Sequence, residues 1–325
     1  MKKIICLLSI IFIFFSFSLS YAENVKAYMV WYPFSGYVPF VCGIEKGFYK
    51  KNGLDVEIIP AGLGGTVDAI MMVSTGKVDF AVVSAAHLMS AVEKGAKITS
   101  VMSFYERYPT VIYYKKSRVK EPKDIKSILV TPKTTKGMSA QIFLKKNGLD
   151  GKVKEIIAHN AGRNIEINLL QTNGVDAVPS QLFETKVYYK EIFGDDLGYF
   201  SISDYNVKLV YMVIAVNNEL LKKNPDLVRR FISATIEGYE YSLKNVDESI
   251  DILEKRYPEV IKLKYRETYG ETVKYINQPI GYTNPKNWDE MKKELVDVGF
   301  IEGTVDTKKL YTNQFVIEAW KKLKK

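Results

Sequence analysis

From Leu54 onward the apolar residues of this chain switch between two spacings, short β-branched runs and stripes at helical period. VEII (Val56 to Ile59) and VDFAVVS (Val78 to Ser84) read as strands, and TVDAIMMVSTG between them reads as a helix. Strand, helix, strand in that order is the mark of a parallel βαβ unit. The order returns about ninety-five residues later with KEII (Lys154 to Ile157), the helical RNIEINLLQTNG and VDAVPS (Val175 to Ser180). Each copy is introduced by a helix-like stretch ending in the same six residues, KKNGLD, at Lys50–Asp55 and Lys145–Asp150. Asn-Gly after a lysine-ended helix is a stop signal, with the glycine free to turn left-handed. Gly64-Gly65 in the first copy matches Ala161-Gly162 in the second, and the offsets between copies are loop-sized.

The ordered match predicts two α/β lobes built alike. Lys97–Lys115 reads as two extended runs split at Tyr108-Pro109, and Leu209–Val216 as a further strand after the second copy. These are expected to be the crossings between lobes. The expected division is a leader over 1–22, a first lobe from 23–113 and 209–325, and a second lobe inserted as 114–208. Beyond Asn224 the chain reads as mostly helical, with Asn224-Pro225 and Asn284-Pro285 as cap signals. Leu227, Phe231, Ala234, Gly238 and Tyr241 mark one core-facing stripe, and Trp288, Met291, Leu295 and Val298 another.

At 325 residues, 47% hydrophobic and 26% charged, the chain has ordinary globular composition and room for two domains. Lys2 and Lys3, an apolar run from Ile4 to Leu19 and the small-residue stretch Ser20-Tyr21-Ala22 form a secretory signal pattern, with cleavage expected near Ala22. Cys6 lies inside that segment, so the exported chain is expected to carry Cys42 alone and no intrachain disulfide. The formal charge of +9 loses two units with Lys2 and Lys3. Its lysines are dispersed and form no aromatic-interleaved basic stripe, which points to a solvated surface and away from nucleic acid.

Catalytic signatures are thin: no HExxH, CxxC, Walker loop or GxSxG occurs, and neither a metal site nor a cofactor is expected. His87 and His159 read as loop or interface residues. The informative positions cluster where strands hand over to helices. Gly64, Gly65 and Thr66, then Ser84, then Thr134 and Thr135 would expose backbone N–H groups to an anion or a polar ring atom, or cap their helices. Trp31 and Tyr37 after the first strand, and Phe104 and Tyr105 near the first crossing, supply flat side chains for a flat ligand, or for packing between lobes. Ser180 and Glu184 follow the second VDA strand. Glu184 would accept hydrogen bonds from a ring amine, or pair with Lys186 or Lys190.

WYPFSGYVPFVCGIEKGFYKKNGLDVEII, TGKVDFAVVS and NGVDAVPSQLFE resemble the thiamine-precursor (pyrimidine) branch of the extracytoplasmic solute-binding proteins, whose superfamily also holds sulfonate, nitrate and taurine binders. The resemblance implies a two-lobed, type II-like periplasmic-binding-protein fold, each lobe a mostly parallel sheet flanked by helices. It implies a monomeric receptor that closes on a small solute and delivers it to an ABC importer permease in the inner membrane, with no catalysis. Trp31 would stack on the ring and Glu184 would take its amino group. Tyr37 stands where many pyrimidine binders carry His, and Pro179 interrupts the second VDA strand. A binder of a small anion is the first alternative. A pyrimidine-synthase-like enzyme of the same fold is the second, disfavoured because Cys42 offers no cysteine-rich iron site, and a basic surface adhesin or sensor domain is a third.

Overall fold

A computed structural model describes residues 22–105, 107–159 and 161–324. The expected leader lies outside these residues. Among the described residues no helix is long and apolar enough to cross a membrane.

Among the described residues eleven strands form two sheets: β1 (Glu23–Met29), β2 (Leu54–Pro60), β3 (Phe80–Ser84), β4 (Ile98–Tyr105), β5 (Thr110–Lys115), β6 (Ser127–Val130), β7 (Lys154–Ile157), β8 (Ala177–Gln181), β9 (Leu197–Ser201), β10 (Met212–Asn217) and β11 (Ile276–Gly281). The first sheet runs β11-β4-β10-β3-β1-β2 and the second β9-β5-β8-β6-β7. Apart from the added edge strand β11, the two orders are the same. In each, three consecutive strands of the duplicated block are parallel, and one strand returning from the other lobe, β10 or β5, lies antiparallel between its neighbours. Both sheets are therefore mixed.

The repeated residues do the same work twice. Asn52 and Asn147 each donate from the side-chain amide to the carbonyl four residues back, at 2.8 Å to Phe48 and 2.8 Å to Phe143. Gly53 and Gly148 follow with φ of +71° and +65°, where a side chain would be strained. Asp79 and Asp176, from the two Val-Asp pairs, accept from the backbone N–H of Lys26 and of Lys126 and Ser127, tying each strand to the start of its neighbour.

The structure corrects the first lobe boundary. β5 pairs only with β8 and β9, so a line at 113/114 cuts a strand of the second sheet, and the crossing falls between Tyr105 and Thr110. Pro179 is accommodated inside β8, opposite Ile112 of β5. Its missing N–H faces β6, where pairing is confined to Ile128 with Ala177.

Both predicted helical stripes face the core, with Tyr241 and Val298 half-buried at their ends. Leu227, Phe231 and Ala234 are buried in the helix Pro225–Lys244, and Trp288, Met291 and Leu295 in Pro285–Asp297. Phe231 stacks on Phe80 of β3 at 3.8 Å between centroids.

Candidate functional site

Because β1 to β4 share one direction, as do β6 to β9, the carboxyl ends of each set lie along one edge of its sheet. The antiparallel strands β10 and β5 begin at those same edges, which brings Tyr211 and Tyr108 there from distant sequence. The edges face each other, and the lobes touch on both flanks. On one flank Lys146 pairs with Glu294 at 2.6 Å, Lys145 donates to the Asp297 carbonyl at 2.6 Å, and a His87 ring nitrogen meets the Lys133 carbonyl at 3.2 Å. On the other, Lys264 pairs with Glu191 and Tyr188 donates to the Lys262 carbonyl at 3.3 Å. His87 is thus a half-buried residue where the lobes meet, as one reading of the sequence expected.

Glu184 sits between these flanks, in the first turn of the helix Leu182–Phe193 that follows β8. Glu184 is half-buried, and among the described residues no hydrogen bond or ion pair reaches it. Lys186 pairs with Glu271 and Lys190 with Asp195, so neither surface lysine takes it. Three tyrosines lie within its electrostatic reach: Tyr105 at the end of β4, Tyr211 at the start of β10 and Tyr265. Burial pushes the Glu184 carboxyl up to about 7; Lys136 opposes the rise, Glu166 adds to it and Arg163 opposes it.

Behind Glu184 lies a second carboxylate in the opposite condition. Glu166, 1% exposed, pairs with Lys136 and accepts from the Ser180 hydroxyl at 2.7 Å and the Tyr189 hydroxyl at 3.1 Å. Lys136 also donates to the Ala161 carbonyl at 3.3 Å. Where the chain crosses between the lobes, the Tyr108 hydroxyl comes near the hydroxyls of Ser84 and Thr135, one from each lobe, and the Tyr108 ring meets Tyr211 at 4.9 Å. Ser84 and Tyr108 are buried and meet no partner at hydrogen-bonding geometry. Buried polar groups are rarely left so, and these two stand at the carboxyl end of β3 and in the crossing between β4 and β5.

The remaining expected residues divide. Trp31 is 42% exposed, holds φ +69° and meets Tyr32 edge-on at 5.6 Å. A left-handed tryptophan is costly backbone. It is held by Tyr37, whose hydroxyl donates to the Trp31 carbonyl at 2.8 Å while its ring is buried between Phe34 and Tyr257. Tyr37 therefore positions the loop and lies in the core. Phe104 packs against Phe40 and Tyr239 and is also core. Thr134 caps the helix Thr135–Lys146, accepting from Gly137 and donating to the Thr131 carbonyl. Thr66 accepts from the Ser84 N–H at 3.2 Å, and Gly65 turns with φ +54°. A Cβ on Gly64 would stand 1.5 Å from an Asp68 carboxylate oxygen, so the Asp68 side chain would have to swing aside. Ser180 serves Glu166.

Sequence reasoning did not single out Glu166, Arg163, Tyr211 or Tyr265. Glu166 carried a signal: it lies four residues before Leu170 on the apolar face of RNIEINLL, where a carboxylate demands a partner. The two tyrosines carried none.

Two mixed α/β lobes with facing strand tips, linked by the crossing after β4 and the return through β10, have the architecture of the periplasmic binding proteins. The architecture matches that of the periplasmic sulfonate-binding protein SsuA of Methylobacillus flagellatus KT, with a TM-score of 0.73 at 17% identity over 94% of this chain and 96% of that one. The chain belongs to the NMT1/THI5-like family, whose model matches residues 35–249. Its relatives divide between binders and enzymes. The riboflavin-binding protein RibY of Chloroflexus aurantiacus is 24% identical over 315 residues, 90% of this chain and 86% of the relative. The formylaminopyrimidine-binding protein of Halalkalibacterium halodurans is 22% identical over 280 residues, 83% of each. The 4-amino-5-hydroxymethyl-2-methylpyrimidine phosphate synthase of Legionella pneumophila is 20% identical over 324 residues, 91% of this chain and 93% of that enzyme.

Proposed function

We propose that this chain is the extracytoplasmic binding component of an ABC importer, exported by the segment before Ala22, and that its lobes close as a monomer on a flat, nitrogen-containing ring of the pyrimidine type for delivery to a permease. Glu184 carries the reading: a half-buried carboxylate without a protein hydrogen bond among the described residues, set among tyrosines, suits a ligand that brings its own N–H donors. The names of the riboflavin and formylaminopyrimidine binders support a flat nitrogen heterocycle. Trp31, exposed on a strained loop, covers the ring from the first lobe. An enzymatic role finds little support in Cys42, whose thiol burial pushes up to about 11, far from a reactive thiolate.

A sulfonate-like anion is the rival ligand, and proton linkage separates the two. A ring amine donates to ionised Glu184, so its affinity falls as pH drops through about 7. An anion is repelled by that same carboxylate, so its affinity rises over the same interval. Calorimetric titration of the exported chain at pH 6 and pH 8 with formylaminopyrimidine, 4-amino-5-hydroxymethyl-2-methylpyrimidine, riboflavin and taurine tests both. We expect one-to-one binding of an aminopyrimidine, weakened by Glu184→Gln by about 1.5–3 kcal/mol, the worth of a hydrogen bond to a charged group. Tightest binding of taurine, with the reverse pH trend, overturns the ring reading; turnover of a bound pyrimidine overturns the transport reading.

A further inference from the structure

We infer that Glu166 is a positioning residue of the cleft: it fixes the Lys136 ammonium within electrostatic reach of Glu184, and so sets the charge that the ligand-facing carboxylate presents to a ring amine. The inference deepens the proposed function and rests on it for the ligand alone.

Three elements converge on Glu166. Lys136 comes from the helix Thr135–Lys146, Ser180 from β8 and Tyr189 from the helix Leu182–Phe193, and both hydroxyls donate to one carboxylate oxygen while Lys136 takes the other. Tyr189 is itself fixed by stacking on Tyr113 at 4.1 Å. The carboxylate therefore has little freedom, and neither has the ammonium, which the Ala161 carbonyl also holds. A buried pair of this kind is a weak stabiliser, because desolvation cancels most of the Coulomb attraction. Its consequence lies in where the charges stand. Glu184 is faced by Lys136, by Glu166 and Arg163 from the helix Arg163–Gln171, and by Tyr105, Tyr211 and Tyr265. Glu166 is faced by Lys136, Tyr189, Ser180, Tyr113 and Glu184. Arg163 lies 3.5 Å over the Tyr188 ring, so it too is held in place.

The signs follow. Glu166 discourages ionisation of Glu184 and Lys136 favours it, so Glu166→Gln both removes the opposing charge and leaves the ammonium uncompensated. The Glu184 titration midpoint, read by carboxyl ¹³C NMR in ligand-free protein, should fall by about one pH unit, a tenfold change in its ionisation constant. The pH at which affinity for 4-amino-5-hydroxymethyl-2-methylpyrimidine is half-maximal should move with it. A merely structural role would weaken binding equally at every pH and leave the midpoint in place, and that result, or a midpoint that rises, overturns the inference. If Glu166→Gln does not fold, the double replacement Lys136→Gln with Glu166→Gln decides. There the midpoint should rise, because Lys136 is the stronger of the two influences, and an unmoved midpoint again overturns the inference. A protein that binds no aminopyrimidine but whose Glu184 midpoint still responds retires the proposed ligand and supports the positioning role.

Discussion

Two serines at equivalent strand ends, Ser84 in the first lobe and Ser180 in the second, stand in opposite conditions. The Ser180 hydroxyl donates to Glu166, whereas the Ser84 hydroxyl is buried without a partner. The cause is one position in the following frame: aligning Gly65 with Gly162 sets Ala69, fully buried, against Glu166. The same alignment sets Thr66 against Arg163. Each lobe keeps the sheet order and the Asn-Gly and Val-Asp fixtures, yet at this position the first lobe has a buried alanine and an unpartnered serine while the second has a buried ion pair. Duplication fixed the frame, and single replacements at buried, edge-facing positions gave each half its chemistry.

The largest effect should come from breaking the charged half. Glu166→Ala strands the Lys136 ammonium and is expected to cost about 3–5 kcal/mol of stability in urea unfolding. Ala69→Glu in the first lobe, which adds the carboxylate without its lysine, should destabilise comparably; tolerance of it would show that the lobes are less distinct than their burial implies.

Glu184→Gln should move binding and stability in opposite directions. The folded-state value is raised to about 7 from an ordinary 4.5, so Glu184 binds protons more readily folded than unfolded, and its contribution to stability falls as pH climbs from about 4.5 to 7. The variant is therefore expected to be more stable than the parent at pH 8, on the order of 2 kcal/mol, and equal to it at pH 4. Loss of affinity together with gain of stability marks a group held for the ligand rather than for the fold. Equal unfolding curves at pH 8 would contradict the desolvated carboxylate.

In the aromatic half, Trp31→Ala should weaken binding of the ring by roughly 1 kcal/mol, with little change in melting temperature because the side chain is largely outside the core. Lys186→Ala should be the quietest change. Its partner is Glu271 at 3.6 Å on the surface, and exposed pairs contribute about 0–1 kcal/mol. A marked loss of affinity there would revive the pairing of Lys186 with Glu184 that the structure does not contain.

The local devices were readable in the chain. Asn-Gly ends two helices because only glycine turns left-handed without strain, and β-branched runs with helices between them give parallel units, so the twin lobes follow from pattern alone. Glu184 was readable too, as a carboxylate just past a strand end. Tertiary structure alone decided which candidates reach the cleft. Tyr37, Phe104 and Tyr105 look alike in sequence and all three are buried, yet only Tyr105 of the three comes within electrostatic reach of Glu184, because direction depends on what packs against each ring. Tyr211 and Tyr265 arrive from remote segments that no local pattern connects to Glu184. Short-range spacing determines the conformation of a segment; the company a charge keeps is determined only when distant segments meet.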